Sequence, residues 1–182
     1  MTGVGAELVF DFAVSTLKDC TKGGVLSPVR VARYAMGLFN GLTFLHSNNI
    51  MHRDIKPDNL LITGDVLLIA DFGWARELAI GNASLTSNAY SLWWRPPEVL
   101  MGTQRYDFSA DVWAAGCVCV DMCEGRPAFP GTSEYDTLQL QLKAFGTPTA
   151  EEWPGLFKLP QAKALRHYPA RPWTIGGKSH LR

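Results

Sequence analysis

The residues able to do chemistry are gathered in two short runs, His52-Arg53-Asp54-Ile55-Lys56-Pro57-Asp58-Asn59 and, twelve residues past that asparagine, Asp71-Phe72-Gly73. Asp54 can accept the proton of an attacking hydroxyl, and Lys56 can neutralise charge on an anionic group. Asn59 and Asp71 offer hard oxygen ligands, which Mg²⁺ prefers over sulfur or imidazole. A base, a cation and two oxygen ligands suit a reaction run by positioning and charge neutralisation. Taken alone, Asp-Phe-Gly is a common turn tripeptide. The eight-residue run at a set distance before it gives the pair its meaning.

These side chains need a frame, and hydrophobic periodicity predicts one. Ser27 is an N-cap with Pro28 in the first turn. Val31, Tyr34, Ala35, Leu38, Phe39, Leu42 and Leu45 then recur at helical spacing through His46. This predicts a long amphipathic helix leading into Ile50-Met51-His52. Leu60–Ile62 and Val66–Ile69 flank Thr63-Gly64-Asp65, a hairpin signal that places Asn59 and Asp71 at its two ends. Thr16–Lys22 has short helical character, broken by Gly23-Gly24. Trp74–Val99 lacks periodicity. Tyr106–Glu124 reads as a central helix ended by Gly125, and Ser133 opens another helix through about Phe145. Leu8–Ala13 is a β-prone, buried strand. Gly3 and Gly5 lack a third glycine and a flanking strand, and read as a flexible end rather than a phosphate-gripping loop.

The chain has 182 residues, enough for one domain with a sizeable core. Seventeen basic and seventeen acidic residues cancel, so nothing points to nucleic acid or an anionic membrane as the main partner. A hydrophobic share of 47 % argues against general disorder. Cys117, Cys119 and Cys123 sit at i, i+2 and i+6 of an apolar helix and cannot converge on one metal. With Cys20 they read as buried free thiols of a reducing compartment. Met1–Gly5 lacks the features of a signal peptide, and the apolar run around Val112–Val120 is too short to cross a bilayer. A cytoplasmic or nuclear location is expected.

At their spacing, the two runs resemble the catalytic and metal-binding loops of the eukaryotic protein kinases. Trp93-Trp94-Arg95-Pro96-Pro97-Glu98 and Gly146-Thr147-Pro148 through Trp153-Pro154-Gly155 narrow the resemblance to the cyclin-dependent kinases. The resemblance implies an ATP-dependent serine/threonine kinase, with ATP and Mg²⁺ as cofactors and a protein as substrate. It assigns catalysis to Asp54, Lys56 and Ser91, the last a hydroxyl between the other two, and metal binding to Asn59 and Asp71. Phe10 would guard the back of the adenine pocket, the Asp11-Phe12-Ala13 backbone would bond the adenine edge, and Leu61 would be its floor. Thr86 falls on the position phosphorylated in activated enzymes, with Arg53 and Arg76 as two arginines that grip the phosphate. The plain alternative for Thr86 is an ordinary loop residue. Asp111 would accept hydrogen bonds from the catalytic-loop backbone, His52 would be structural, and Glu98 would pair with an arginine that this chain does not match. Trp74 and Trp94 replace the usual leucine and tyrosine. Ala89-Tyr90 replace two valines that shape a pocket for proline after the target residue, so proline-directed specificity is not implied.

The fold class so implied is α+β and protein-kinase-like: a mainly α-helical large lobe with a short β-hairpin, the small lobe largely absent. Residues 7–13 would be the last small-lobe strand and hinge, 14–170 the large lobe without its last helices, and 171–182 an unmatched tail. The glycine-rich loop, the strand lysine and the cyclin-contacting helix find no match, although a cyclin-like activator is implied for a longer form. The chain alone is therefore expected to transfer phosphate negligibly and to be poorly soluble. A truncated, non-catalytic binding module and an incomplete gene product are the competing readings.

Overall fold

The computed structural model describes residues 13–78, 90–162 and 165–170. Ten elements matter: β1 (Ser15–Thr16), α1 (Leu17–Thr21), α2 (Pro28–Ser47), β2 (Ile50–Met51), β3 (Leu60–Thr63), β4 (Val66–Ile69), β5 (Arg76–Glu77), α3 (Pro97–Leu100), α4 (Ser109–Glu124) and α5 (Glu134–Phe145). They form a mixed α+β domain with the helices dominant.

Helix α2 starts where its cap predicts: the Ser27 side chain accepts from the Arg30 amide, and Pro28 needs no donor partner in the first turn. Its buried stripe is Tyr34, Leu38, Leu42 and Leu45. Phe39, expected on that stripe, is 39 % exposed, because it lies beside the contact face rather than on it. Gly37 and Gly41 let α2 lie close on β4; a Cβ at Gly41 would come within 2.8 Å of Ile69 Cδ1. Helix α1 is shorter than Thr16–Lys22, because Thr16 is its cap and forms a reciprocal capping box with Asp19.

The hairpin pairs Leu60 with Ile69 and Thr63 with Val66, so Thr63 belongs to the strand and the turn is Gly64-Asp65 alone. Gly64 takes φ 58°, which the first residue of such a two-residue turn requires. Alternation then buries Leu60, Ile62 and Leu67 and turns Leu61, Leu68 and Val66 outward. Two short ladders were not foreseen: β1 on β3, and β2 on β5. Two-residue strands carry too little pattern to be read.

Helix α4 is the core of the molecule, with Ala110, Asp111, Ala114, Ala115, Val118 and Met122 fully buried. It begins three residues later than Tyr106, because the Asp107 carboxylate accepts the Ser109 amide at 2.8 Å and holds a turn there. Gly125, at φ 66°, ends it in the left-handed conformation that suits glycine. Helix α5 is capped by Ser133, whose side chain accepts from the Asp136 amide. All four cysteines are free, but only Cys117 is fully buried; Cys20, Cys119 and Cys123 are half-buried, the first two packed against the core. Burial pushes the Cys119 thiol up to about 11. Among the described residues no helix is long and apolar enough to cross a membrane.

Candidate active site

The site is built from Asp111 outward. This carboxylate sits in the first turn of α4 with no exposure, and an aspartate so placed must be fully hydrogen-bonded. Its Oδ2 accepts the His52 amide at 2.8 Å, and its Oδ1 the Arg53 amide at 2.9 Å. His46 Nε2 lies 3.0 Å from Oδ2, and the Tyr90 hydroxyl donates to Oδ1 at 3.2 Å. One side chain thus fixes the backbone immediately before Asp54.

His52 ties the two chemical runs together. Burial pushes its pKa below the ordinary histidine value, so the ring is neutral. Its Nδ1 accepts the Asp54 amide at 3.3 Å, which leaves Nε2 to donate to the Ala70 carbonyl at 3.0 Å. Phe72 packs edge-on against the ring, centroids 5.1 Å apart. With both nitrogens engaged, the imidazole is a brace between Asp54 and the residue before Asp71.

Arg53 takes φ 71°, a left-handed conformation costly for a non-glycine residue. It is held there because its N–H goes to Asp111 and its carbonyl accepts the Tyr90 amide at 3.0 Å. The guanidinium is 1 % exposed with the rest of the residue. It donates to the Tyr106 hydroxyl from Nε at 3.2 Å and Nη2 at 2.8 Å, and to the Trp74 carbonyl at 3.4 Å.

Around Asp54 the geometry is tight. Its Oδ2 accepts Lys56 Nζ at 2.7 Å and Asn59 Nδ2 at 2.9 Å. Its Oδ1 accepts the Ser91 hydroxyl at 2.9 Å and the Ser91 amide at 3.2 Å. Lys56 also reaches Ser91 Oγ at 3.0 Å. Asn59 donates to the Asp54 carbonyl as well, at 2.9 Å. Asp54, Lys56, Asn59 and Ser91 are therefore one connected cluster, although Ser91 lies far along the chain from the others.

Asp71 comes to the same place through the hairpin, since the Ala70 amide donates to the Asn59 carbonyl at 2.9 Å and closes the ends of β3 and β4. Asp71 is exposed, takes φ 63°, and its Oδ1 accepts the Gly73 amide at 3.2 Å. That leaves Oδ2 of Asp71 and Oδ1 of Asn59, whose amide nitrogen is committed to Asp54, as hard oxygens on adjoining backbone. This donor set fits Mg²⁺, which takes few protein ligands and keeps water or phosphate in its remaining positions. No group of three or more His, Cys, Asp or Glu stands ready for a metal among the described residues.

Other expected site residues are placed less closely. Leu61 is half-buried on the outer face of the hairpin, cross-strand from Thr16 and Leu68. Ala13 is half-buried, while Phe10, Asp11, Phe12, Thr86 and Ala89 lie outside the described residues. Arg76 is exposed in β5, opposite Met51. Glu98 is half-buried in the first turn of α3, and burial pushes its pKa up. No cation lies within ion-pair distance of it among the described residues. Sequence reasoning missed Tyr106, Tyr90 and His46 as partners of Arg53 and Asp111. Their polar atoms meet from separate elements, and the one signal, Ala89-Tyr90 where two valines were expected, points to no partner.

The loop bearing Ser91 is strapped to the helices. Arg95 donates to the Tyr90 carbonyl from Nε at 3.3 Å and Nη2 at 2.8 Å, and ion-pairs with Glu134. Trp94 Nε1 donates to Asp121 at 2.8 Å, and Gln141 donates to the Arg95 carbonyl at 2.9 Å.

A carboxylate, a lysine and an asparagine thus meet in one cluster, with a second carboxylate brought up at the other end of the hairpin. Residues 5–165 match the family model described as protein kinase domain. The chain belongs to the protein kinase domain family. Among solved structures it is similar to the crystal structure of the yeast RNA Pol II CTD kinase CTDK-1 complex, at 32% sequence identity and a TM-score of 0.82. That match covers 89% of this chain and 56% of the other, so the chain spans little more than half the relative's length.

Proposed function

We propose that this chain carries the catalytic loop of a serine/threonine protein kinase that moves the γ-phosphate of ATP to a protein hydroxyl. The Asp54 cluster is the observation that supports this. Asp54 would take the proton of the attacking hydroxyl, held in line by Asn59 and Lys56. Lys56 would neutralise charge on the transferring group, and by the family resemblance a lysine at this position marks serine or threonine as acceptor. Asn59 and Asp71 would hold Mg²⁺, which supplies charge neutralisation to the phosphates when bound. Leu61 and the outer hairpin face would floor the adenine, with the Phe10–Ala13 backbone at its edge.

The relative is named as a kinase of the RNA polymerase II CTD; for this chain we take from it only a protein substrate and work in the nucleus or cytoplasm. A cyclin-like activator, and phosphorylation of Thr86 read by Arg53 and Arg76, follow from the resemblance. Ala89 and Tyr90 replace the two valines of the proline pocket, so a preference for proline after the target residue would come instead from Arg95. With the Tyr90 carbonyl occupied by that guanidinium, a substrate residue lying over it finds no free acceptor for its N–H. Proline, which has no N–H, loses nothing there.

The test is phosphate transfer by the protein that carries this chain to matched peptides bearing Ser, Thr or Tyr, each followed by Pro or Ala. Transfer to Ser and Thr with a preference for Pro of roughly tenfold or more is expected, the scale of one unmade hydrogen bond. Transfer to Tyr alone, or equal rates with Pro and Ala, contradicts the corresponding part of the reading.

A further inference from the structure

Tyr90 holds more contacts than a loop residue needs. It is buried to 3 %, takes φ 71°, and is pinned at every polar atom. Its amide donates to the Arg53 carbonyl, its own carbonyl accepts Arg95, and its hydroxyl donates to Asp111 Oδ1. Its ring meets the Tyr106 ring edge-on, centroids 5.9 Å apart, and Tyr106 in turn takes the Arg53 guanidinium. Burial, reinforced by the Asp111 carboxylate, holds the phenol protonated far above its ordinary range, so it remains a donor.

The consequence lies in what Asp111 shares. Oδ1 accepts both the Arg53 amide and the Tyr90 hydroxyl, while Oδ2 accepts the His52 amide. One carboxylate thus ties down the backbone before Asp54 and the residue before Ser91. Ser91 then bonds Asp54 through both its amide and its hydroxyl.

We propose that Tyr90 is a positioning residue for phosphate transfer: through Asp111, its hydroxyl sets where Ser91 and the acceptor-side loop stand relative to Asp54. This rests on the kinase reading of the Asp54 cluster. A tyrosine that merely fills space there would be replaceable by phenylalanine, which keeps the ring and its packing on Tyr106. A positioning tyrosine would not be, because Oδ1 would lose a donor and the loop its tether to α4.

The experiment compares wild type with Tyr90→Phe in the protein that carries this chain. It reads transfer kinetics for a protein substrate and for ATP, backbone amide exchange, and thermal midpoint. The kcat is expected to fall about three- to tenfold, less than the hundredfold that a full ångström of misplacement costs. KM for ATP should stay within about twofold, since the hydroxyl touches no nucleotide-facing residue. Amide exchange should quicken in the segments around His52–Asp54 and Ser91 and stay unchanged elsewhere. Wild-type kcat with unchanged exchange in Tyr90→Phe overturns the proposal, as does a lower thermal midpoint with exchange raised uniformly. Asp54→Asn separates the two readings: full transfer in that variant sinks the kinase assignment, whereas exchange still judges the Tyr90 tether. Tyr90→Leu, which loses ring and hydroxyl, should show the same local exchange pattern and a kcat no higher than the phenylalanine variant.

Discussion

At the scale of single residues, most of the polar chemistry is settled by what burial leaves available. His52 is neutral and doubly engaged, so it braces rather than reacts. Asp121 shows the opposite balance. It accepts Trp94 Nε1 and the Ala128 amide, both of which favour the anion, yet burial outweighs them and its pKa is pushed up to about 6. An acid raised in this way binds protons more readily folded than unfolded. Its contribution to stability is fully present below the unfolded value near 3.8 and is lost as pH rises through about 6. His52, depressed by burial, works against it, since its contribution is lost as pH falls below its ordinary 6.5. Asp121→Asn should therefore remove the acid-side compensation. Between pH 7 and pH 4 the variant should lose about 2–3 kcal/mol more stability than wild type does. Denaturant titrations at a series of pH values check this, and parallel profiles for the two proteins would show that Asp121 is not titrating in that window. Asp54, Lys56 and Asn59 were legible because their types are packed into eight positions, whereas Ser91 was placed with them only by the family resemblance. The tyrosines were not legible, because a hydroxyl in a sequence carries no sign of which buried carboxylate it will meet.

At the scale of elements, the frame was read well where caps and long periodicity agree and poorly where pairing is short. Helix α2 and the β3–β4 hairpin follow from Ser27-Pro28, the spaced leucines and Gly64. The ladders β1–β3 and β2–β5 depend on where distant segments meet, which two residues cannot encode. The start of α4 was misplaced because a side chain, Asp107, competes for a backbone amide. A similar tightness governs the approach to α5. Gly131 accepts the Trp93 indole at its carbonyl, and a Cβ there would lie 2.4 Å from the Thr137 amide nitrogen, a backbone atom in the first turn that cannot swing away. Gly131→Ala should cost about 1–3 kcal/mol by overpacking and should loosen the strap on Trp93. A melt of the variant that coincides with wild type would mean that the α4–α5 connection yields more easily than its geometry implies.

At the scale of the whole molecule, α4 is the shared support: α2 packs on one side of it, the loop that carries His52–Asn59 hangs from Asp111 at its start, and the Ser91 loop is tied to Asp121 near its end. From the sequence, the resemblance implied that Asp111 holds the backbone before Asp54, but not that His46 and Tyr90 share the same carboxylate. The reason for the design became plain once four donors from three segments converged on that carboxylate. Two apolar faces stay open among the described residues, the outer hairpin face with Val66 and Leu68, and the groove beside Val112 and Gly116 on α4. The central claim is that Asp54 acts as base while Asp71 serves the metal. The most direct test is nucleotide binding by titration calorimetry beside phosphate transfer, for wild type, Asp54→Asn and Asp71→Asn of the protein that carries this chain. Asp54→Asn should lose transfer by about 10²–10⁴-fold with Mg²⁺–ATP binding nearly intact, and Asp71→Asn should weaken both. Equal loss of nucleotide binding in the two variants, or wild-type transfer by Asp54→Asn, would contradict the account.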